Sequence, residues 1–112
     1  MPDPFIPTIP QISAEDIQKD IEVKKPVILL DVRTPMEYSC GKIKGSINIP
    51  VDEISKVTSV IPNKEAKIYV YCLSGSRSIH AVSTMIKMGY TNVFNLTSGL
   101  LAWKAKRYPL DT

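Results

Sequence analysis

Two short runs, Val27-Ile28-Leu29-Leu30 and Lys67-Ile68-Tyr69-Val70-Tyr71-Cys72, constrain this chain more than any other feature. The first is apolar without a break, and the second is rich in β-branched and aromatic residues that favour extended backbone. A strand apolar on both faces belongs in the interior of a parallel sheet, covered by helices above and below. Helix signals surround the two runs. Ser13 reads as an N-cap with Asp16 at N3 and an Ile12–Ile17 staple, and Ala14, Ile17 and Ile21 form one apolar face. Thr34-Pro35-Met36-Glu37 places an N-cap, a proline at N1 and an acid at N3, opening a short helix that should stop at Gly41. The spacing further predicts an edge strand near Ile9–Ile12, a strand over 46–49 and a helix over 51–61 facing inward through Ile54, Val57 and Ile61. It then predicts a helix over 78–88 facing inward through Ile79, Val82 and Ile86, with Gly89 at C′. A strand over 92–96 and a helix over 99–106 complete the pattern. Strand and helix alternate with short connections, which predicts an α/β fold with a mainly parallel sheet and helices on both faces.

The 112 residues leave room for one domain, preceded by an extended arm over residues 1–10, four of which are proline. Hydrophobic residues make up 44% and charged residues 22%, which argues against a disordered tail. The net charge of +3 is spread among interspersed lysines and acids, with no basic run or aromatic-basic stripe. A nucleic-acid surface is therefore not expected. Neither a secretory leader nor an apolar stretch of membrane-spanning length is present in these residues, so no membrane association and a cytoplasmic location are expected. In that compartment Cys40 and Cys72 are expected to be reduced thiols. Oligomeric state is not encoded in any recognisable pattern.

The chemistry concentrates where the 67–72 strand ends. In parallel sheets, ligands bind beyond the carboxyl ends of the strands. The segment there is Cys72-Leu73-Ser74-Gly75-Ser76-Arg77, followed at once by a helix. Gly75 and the small serines allow the backbone to curl so that amides point inward as an anion nest. The helix N-terminus adds partial positive charge and Arg77 a full one. Such surroundings lower a thiol's pKa and favour the thiolate, the reactive form. Cys72 is thus the candidate nucleophile. The amides of Leu73, Ser74, Gly75 and Ser76, with Arg77, are the candidate anion-binding groups.

The Cys-x-x-Gly-x-Arg-Ser pattern at 72–78 resembles the active-site loop of the rhodanese family of sulfurtransferases. Asp31-Val32-Arg33 with Glu37-Tyr38 resembles that family's first signature, and the stretch from Gly41 to Pro50 its Gly-His-Ile-x-Gly-Ala-x-Asn-Ile-Pro motif. The stretch from Ser98 to Trp103 resembles its closing Gly-Gly-x-x-Ala-Trp. Four motifs in the family's order, across 12–103, are a specific match. Lys42 replaces a common histidine, Ser98 a glycine, and Leu73 a loop residue that is often polar or basic. The resemblance implies a five-stranded parallel sheet and a catalytic Cys72 that carries sulfane sulfur as a persulfide held by the loop amides. It also implies a small donor such as thiosulfate, and cyanide, a thiol or a protein thiol as acceptor. No cofactor or metal is implied.

Other readings compete. Related phosphatases and arsenate reductases place five residues between cysteine and arginine, whereas four separate Cys72 from Arg77 here. The tighter loop favours sulfur over phosphate. A non-catalytic binding or regulatory module is the other alternative, and an intact Cys72 and Arg77 argue against it. Asp31 and Arg33 end a strand, where they can fix the first loop by hydrogen bonds and ion pairs or face the substrate; the first role is favoured. Ser78 can support the loop through its hydroxyl or serve as an ordinary first-turn residue. Cys40 reads as incidental rather than as a resolving thiol, His80 as a surface residue and Trp103 as core. No Cys/His cluster has metal-ligand spacing.

Overall fold

The computed structural model describes residues 8–112, so most of the expected N-terminal arm lies outside the described residues. The sheet is built around β4, Ile68–Tyr71, all four residues of which are buried. On one side it pairs with β2 (Ile28–Asp31), which pairs in turn with β3 (Ile47–Asn48). On the other it pairs with β5 (Val93–Leu96), which carries β1 (Gln11–Ile12) at the edge. The order is β1-β5-β4-β2-β3, and every pairing is parallel. The two-residue period of a strand divides its side chains between two cores. Ile68, Val70 and Cys72 point to one face with Leu30 and Val32, under Ala81, Val82 and Met85. Tyr69 and Tyr71 point to the other with Leu29, under Ala14, Ile17, Leu100 and Trp103. Both faces of β4 are thus covered, as its composition predicts.

Local signals place the helices. The Ser13 hydroxyl accepts the Asp16 amide at 3.1 Å and opens α1 (Ala14–Glu22). Thr34 and Glu37 form a reciprocal capping box at the start of α2 (Pro35–Ser39). The segment expected as one helix over 51–61 differs. It is a 3-10 helix over Val51–Lys56 followed by a single turn, α3 (Val57–Val60), with Glu53 off helical geometry at φ −115° and ψ 20°. Val51, Ile54 and Val57 recur every third residue and pack into the same core, and a helix of three residues per turn stacks that spacing in line.

The next helix, α4, runs over Ser76–Lys87 and begins two residues before its expected start. Gly75, at φ 107°, turns the chain directly from the loop into the helix, a conformation disfavoured with a Cβ. Its buried residues are Ser78, Ala81, Val82 and Met85, while Ile79, expected in the core, is 41% exposed. The face is rotated because Ser78, fully buried, turns its hydroxyl inward beneath the loop, toward the Cys72 sulfur and Asn95. The last helix, α5, covers Gly99–Ala105.

Candidate active site

Cys72 follows β4 directly and has no exposed surface. Its sulfur accepts the Gly75 amide at 3.1 Å and lies 3.4 Å from the Ser78 hydroxyl oxygen. The loop's carbonyls point elsewhere. Leu100 donates its amide to the Cys72 carbonyl at 2.9 Å, and Leu101 donates to that of Leu73 at 3.0 Å. The first turn of α5 therefore draws the carbonyls to one side and leaves amides on the sulfur's side. Burial pushes the Cys72 thiol up, but hydrogen bonds from the Ser78 side chain and the amides of Ser78, Gly75 and Ser74 hold it below its ordinary value. Hydrogen bonding to the charged form, more than any facing cation, favours the thiolate here.

Arg77 lies in the first turn of α4, half-buried, and its guanidinium is turned to α2. It donates to both carboxylate oxygens of Glu37, at 2.7 and 3.0 Å. Glu37 thus does two jobs, capping its own helix through Thr34 and tethering the Cys72 loop through Arg77. The Arg77 hydrogen bonds are the largest influence on its carboxyl, which falls to about 2 from an ordinary 4.5. A carboxyl whose native pKa is depressed contributes its full stabilisation above the unfolded value and loses it as pH falls toward the native one. The stability advantage of wild type over Glu37→Gln is therefore expected to be constant above about pH 5 and to vanish between about pH 4.5 and 2. The pair is partly exposed, so this advantage should be about 1 kcal/mol or less and should shrink in salt. Urea unfolding of both proteins across that range measures it.

Asp31 and Arg33 form a buried ion pair behind this loop, with 2.6 Å between the Arg33 Nη2 and the Asp31 Oδ2. The same nitrogen donates to the Gly41 carbonyl at 2.6 Å. Asn48 donates to the carbonyls of Asp31 and Arg33, each at 3.0 Å. The pair fixes the first loop and the end of α2, and so the position of Glu37.

Asn95 was not among the expected site residues. It is buried in β5, with its Oδ1 2.5 Å from the Ser78 hydroxyl oxygen. Its one sequence signal is a carboxamide inside the apolar strand Val93-Phe94-Asn95-Leu96, because a buried amide needs partners. Leu73 is partly buried against the core that holds Tyr71, Leu100 and Trp103, and Ser74 and Ser76 are exposed at the loop's surface. Cys40 is an exposed free thiol that lines a separate cavity of about 310 Å³ with Met36, Glu37 and Lys104. His80 is exposed, and Trp103 is buried with its indole N–H on the Pro109 carbonyl at 2.9 Å. Among the described residues no three His, Cys, Asp or Glu side chains converge as metal ligands. Nor is any helix there long and apolar enough to cross a membrane.

The loop, the signatures around it and the parallel sheet coincide with a known family, since the Rhodanese-like domain model matches residues 13–106. The chain belongs to the rhodanese-like family. A sulfurtransferase of Allochromatium vinosum is 33% identical to it over 100 residues, which is 89% of this chain and 92% of that protein. The thiosulfate sulfurtransferase PspE of Escherichia coli is 37% identical over 67 residues, 59% of this chain and 64% of that protein. A crystal structure of a rhodanese-related protein from Thermoplasma volcanium superposes with a TM-score of 0.80 at 31% identity. The superposition covers 91% of this chain and 97% of that one. The rhodanese-like domain thus stands among sulfurtransferases, and at family level its chemistry is rhodanese-type sulfur transfer.

Proposed function

We propose that this rhodanese-like protein transfers sulfane sulfur through a persulfide on Cys72, with thiosulfate as a competent donor. The observation that carries the reading is the sulfur's setting at the end of the central strand, where the Gly75 amide, at 3.1 Å, and the Ser78 hydroxyl, at 3.4 Å, converge on it. In the first half-reaction the Cys72 thiolate attacks the outer sulfur of thiosulfate. An S–S bond forms, the bond to the sulfonate sulfur breaks with its electron pair, and sulfite leaves. In the second, cyanide or a thiolate attacks the terminal persulfide sulfur, departs as thiocyanate or a new persulfide, and returns Cys72 to the thiolate.

The amides that favour the thiolate also suit the terminal sulfur of a persulfide, which is likewise anionic. The amides of Leu73 and Ser76 would join them as the added sulfur extends outward, and Arg77 would meet the donor's negative charge. Since Cys72 has no exposed surface, a donor reaches it only when residues 73–77 give way. The tether from Arg77 to Glu37 is the contact best placed to govern that opening. Asp31 and Arg33 act through the loop they fix rather than on the substrate. The acceptor class is a small or protein-borne thiol, in a reducing compartment such as the cytoplasm.

Incubation with thiosulfate is expected to add one sulfur atom to the intact protein, and cyanide or dithiothreitol to remove it. Aryl phosphates are expected to be hydrolysed negligibly. A protein that gains no mass from thiosulfate or other sulfane donors, or one that turns over aryl phosphates through Cys72, would overturn the reading.

A further inference from the structure

The Ser78 hydroxyl has one proton and three acceptors within reach. The Asn95 Oδ1 is at 2.5 Å, the Gly75 carbonyl at 3.1 Å and the Cys72 sulfur at 3.4 Å. Ser78 and Asn95 are both buried, at 0% and 1% exposure, so water cannot substitute for a missing partner. Beyond Asn95 the chain of contacts continues to the edge strand, where the Asn95 Nδ2 donates to the Gln11 Oε1 at 2.9 Å. The Thr97 hydroxyl donates to that same oxygen at 2.9 Å. Gln11 and Thr97 are exposed.

With a neutral thiol, the polarity runs outward without conflict. The Cys72 S–H donates to Ser78, Ser78 to Asn95, and Asn95 to Gln11. An anionic sulfur reverses the first step, because it has no proton to give and is the strongest acceptor Ser78 can meet. Once the Ser78 proton turns to the sulfur, two oxygens, Ser78 Oγ and Asn95 Oδ1, face each other at 2.5 Å with no proton between them. A carboxamide can be turned end for end in the same space, presenting Nδ2 to Ser78 and Oδ1 to Gln11. Gln11 lies at the surface, where turning its own amide to donate costs little.

We propose that Asn95 is a positioning residue for the Cys72 sulfur, and that the Gln11–Asn95–Ser78 chain reverses its hydrogen-bond direction when that sulfur becomes anionic. Ionisation breaks the Cys72 S–H bond and leaves its electron pair on the sulfur; no other covalent bond changes in the reversal. The thiol proton leaves to solvent, the Ser78 hydroxyl rotates, and two amides turn. The effect is to hold Ser78 as a donor to the sulfur, with its own lone pair occupied by the Asn95 N–H. Arg77, at the start of α4, is the cation close enough to feel the Cys72 charge, and its own acidic neighbours are Glu37 on α2 and Asp31 at the end of β2. None of them hydrogen-bonds to the side chain of Ser78 or Asn95.

Asn95→Leu separates positioning from packing. In that variant the thiol form stays satisfied, since Ser78 can donate to the Gly75 carbonyl, but the thiolate form loses the donor to Ser78. The Cys72 inflection, read from the pH dependence of iodoacetamide alkylation, is expected to rise by about half a unit to one unit, the worth of one ordinary hydrogen bond. In a Ser78→Ala background the same substitution is expected to add nothing. An unchanged inflection in folded Asn95→Leu, or a rise that persists without Ser78, would overturn the relay. Wild-type protein provides a second measurement that no folding defect can obscure. The Asn95 side-chain amide resonances should titrate with the Cys72 inflection, and resonances flat across it refute the reversal.

The inference rests on Cys72 as the ionising nucleophile of the proposed function, yet alkylation needs no sulfur donor. Wild type that alkylates normally but accepts no sulfur refutes sulfur transfer alone. Variants that fail the alkylation test refute the relay alone.

Discussion

Cys72→Ser is expected to take up no labile sulfur from thiosulfate, whereas Cys40→Ser should load to the same extent as wild type. Loading requires a nucleophile that is anionic near neutral pH and forms a bond to sulfur, and a serine hydroxyl is neither acidic enough nor soft enough to do so. The loss is therefore complete rather than graded. The substitution should leave the fold intact, because a hydroxyl in place of the thiol still meets the Gly75 amide and the Ser78 hydroxyl. Any loss of loading can then be assigned to chemistry. Intact-mass measurement of both variants, before and after thiosulfate, decides the matter. Sulfur retained by Cys72→Ser and lost from Cys40→Ser would move the carrier to the exposed cysteine.

Gly99→Ala is expected to be the most damaging single-methyl change near the site. A Cβ at this position would lie 2.6 Å from the carbonyl oxygens of both Cys72 and Leu73, well inside van der Waals contact. Both atoms are backbone and cannot swing aside. Gly99 also has φ 58°, where a residue with a Cβ costs about 1–2 kcal/mol before any clash. Relief of the overlap adds about 1–3 kcal/mol, typical of overpacking. For a domain of this size each kcal/mol lowers Tm by about 4–8 °C, so a fall of roughly 8–40 °C is expected. Loading at Cys72 should fall even where the variant is folded, because α5 can no longer hold the loop carbonyls away from the sulfur. Ser98 provides the contrast. It also has a positive φ, 61°, but is exposed, which explains why this chain tolerates serine where the family pattern has glycine. Ser98→Gly should leave Tm unchanged or raise it slightly. Equal Tm for wild type and Gly99→Ala would show that the start of α5 can retreat from the loop.

The fold was legible where sequence patterns state a local physical requirement. Doubly apolar Ile28–Leu30 and Ile68–Tyr71 need cover on both faces, and the sheet provides it. Ser13 and Thr34 mark their helix starts because a cap is satisfied within four residues. The 51–61 segment reads as one α-helix because apolar spacings of three or four fit α and 3-10 geometry alike, and only the packing divides it at Lys56. Of the two roles the sequence allows Ser78, only the packing selects the inward one, since periodicity assigns faces by hydrophobicity and cannot orient a serine.

The sequence by itself determined the parallel α/β plan, the capped helices, and a small, glycine-bearing loop that places Cys72 before a helix. All of these follow from requirements that neighbouring residues impose on one another. Only the tertiary structure decided where the charges and hydrogen bonds go. Arg77 and Glu37 are forty positions apart, and nothing local says that the guanidinium turns to α2 rather than to the sulfur. Asn95 meets Ser78 because β5 lies beside β4, and Leu100 reaches the Cys72 carbonyl because α5 begins over the loop. A hydrogen bond or an ion pair depends on a few tenths of an ångström between distant segments. Packing of the whole sheet sets those distances, and the order of residues along the chain does not encode them one by one.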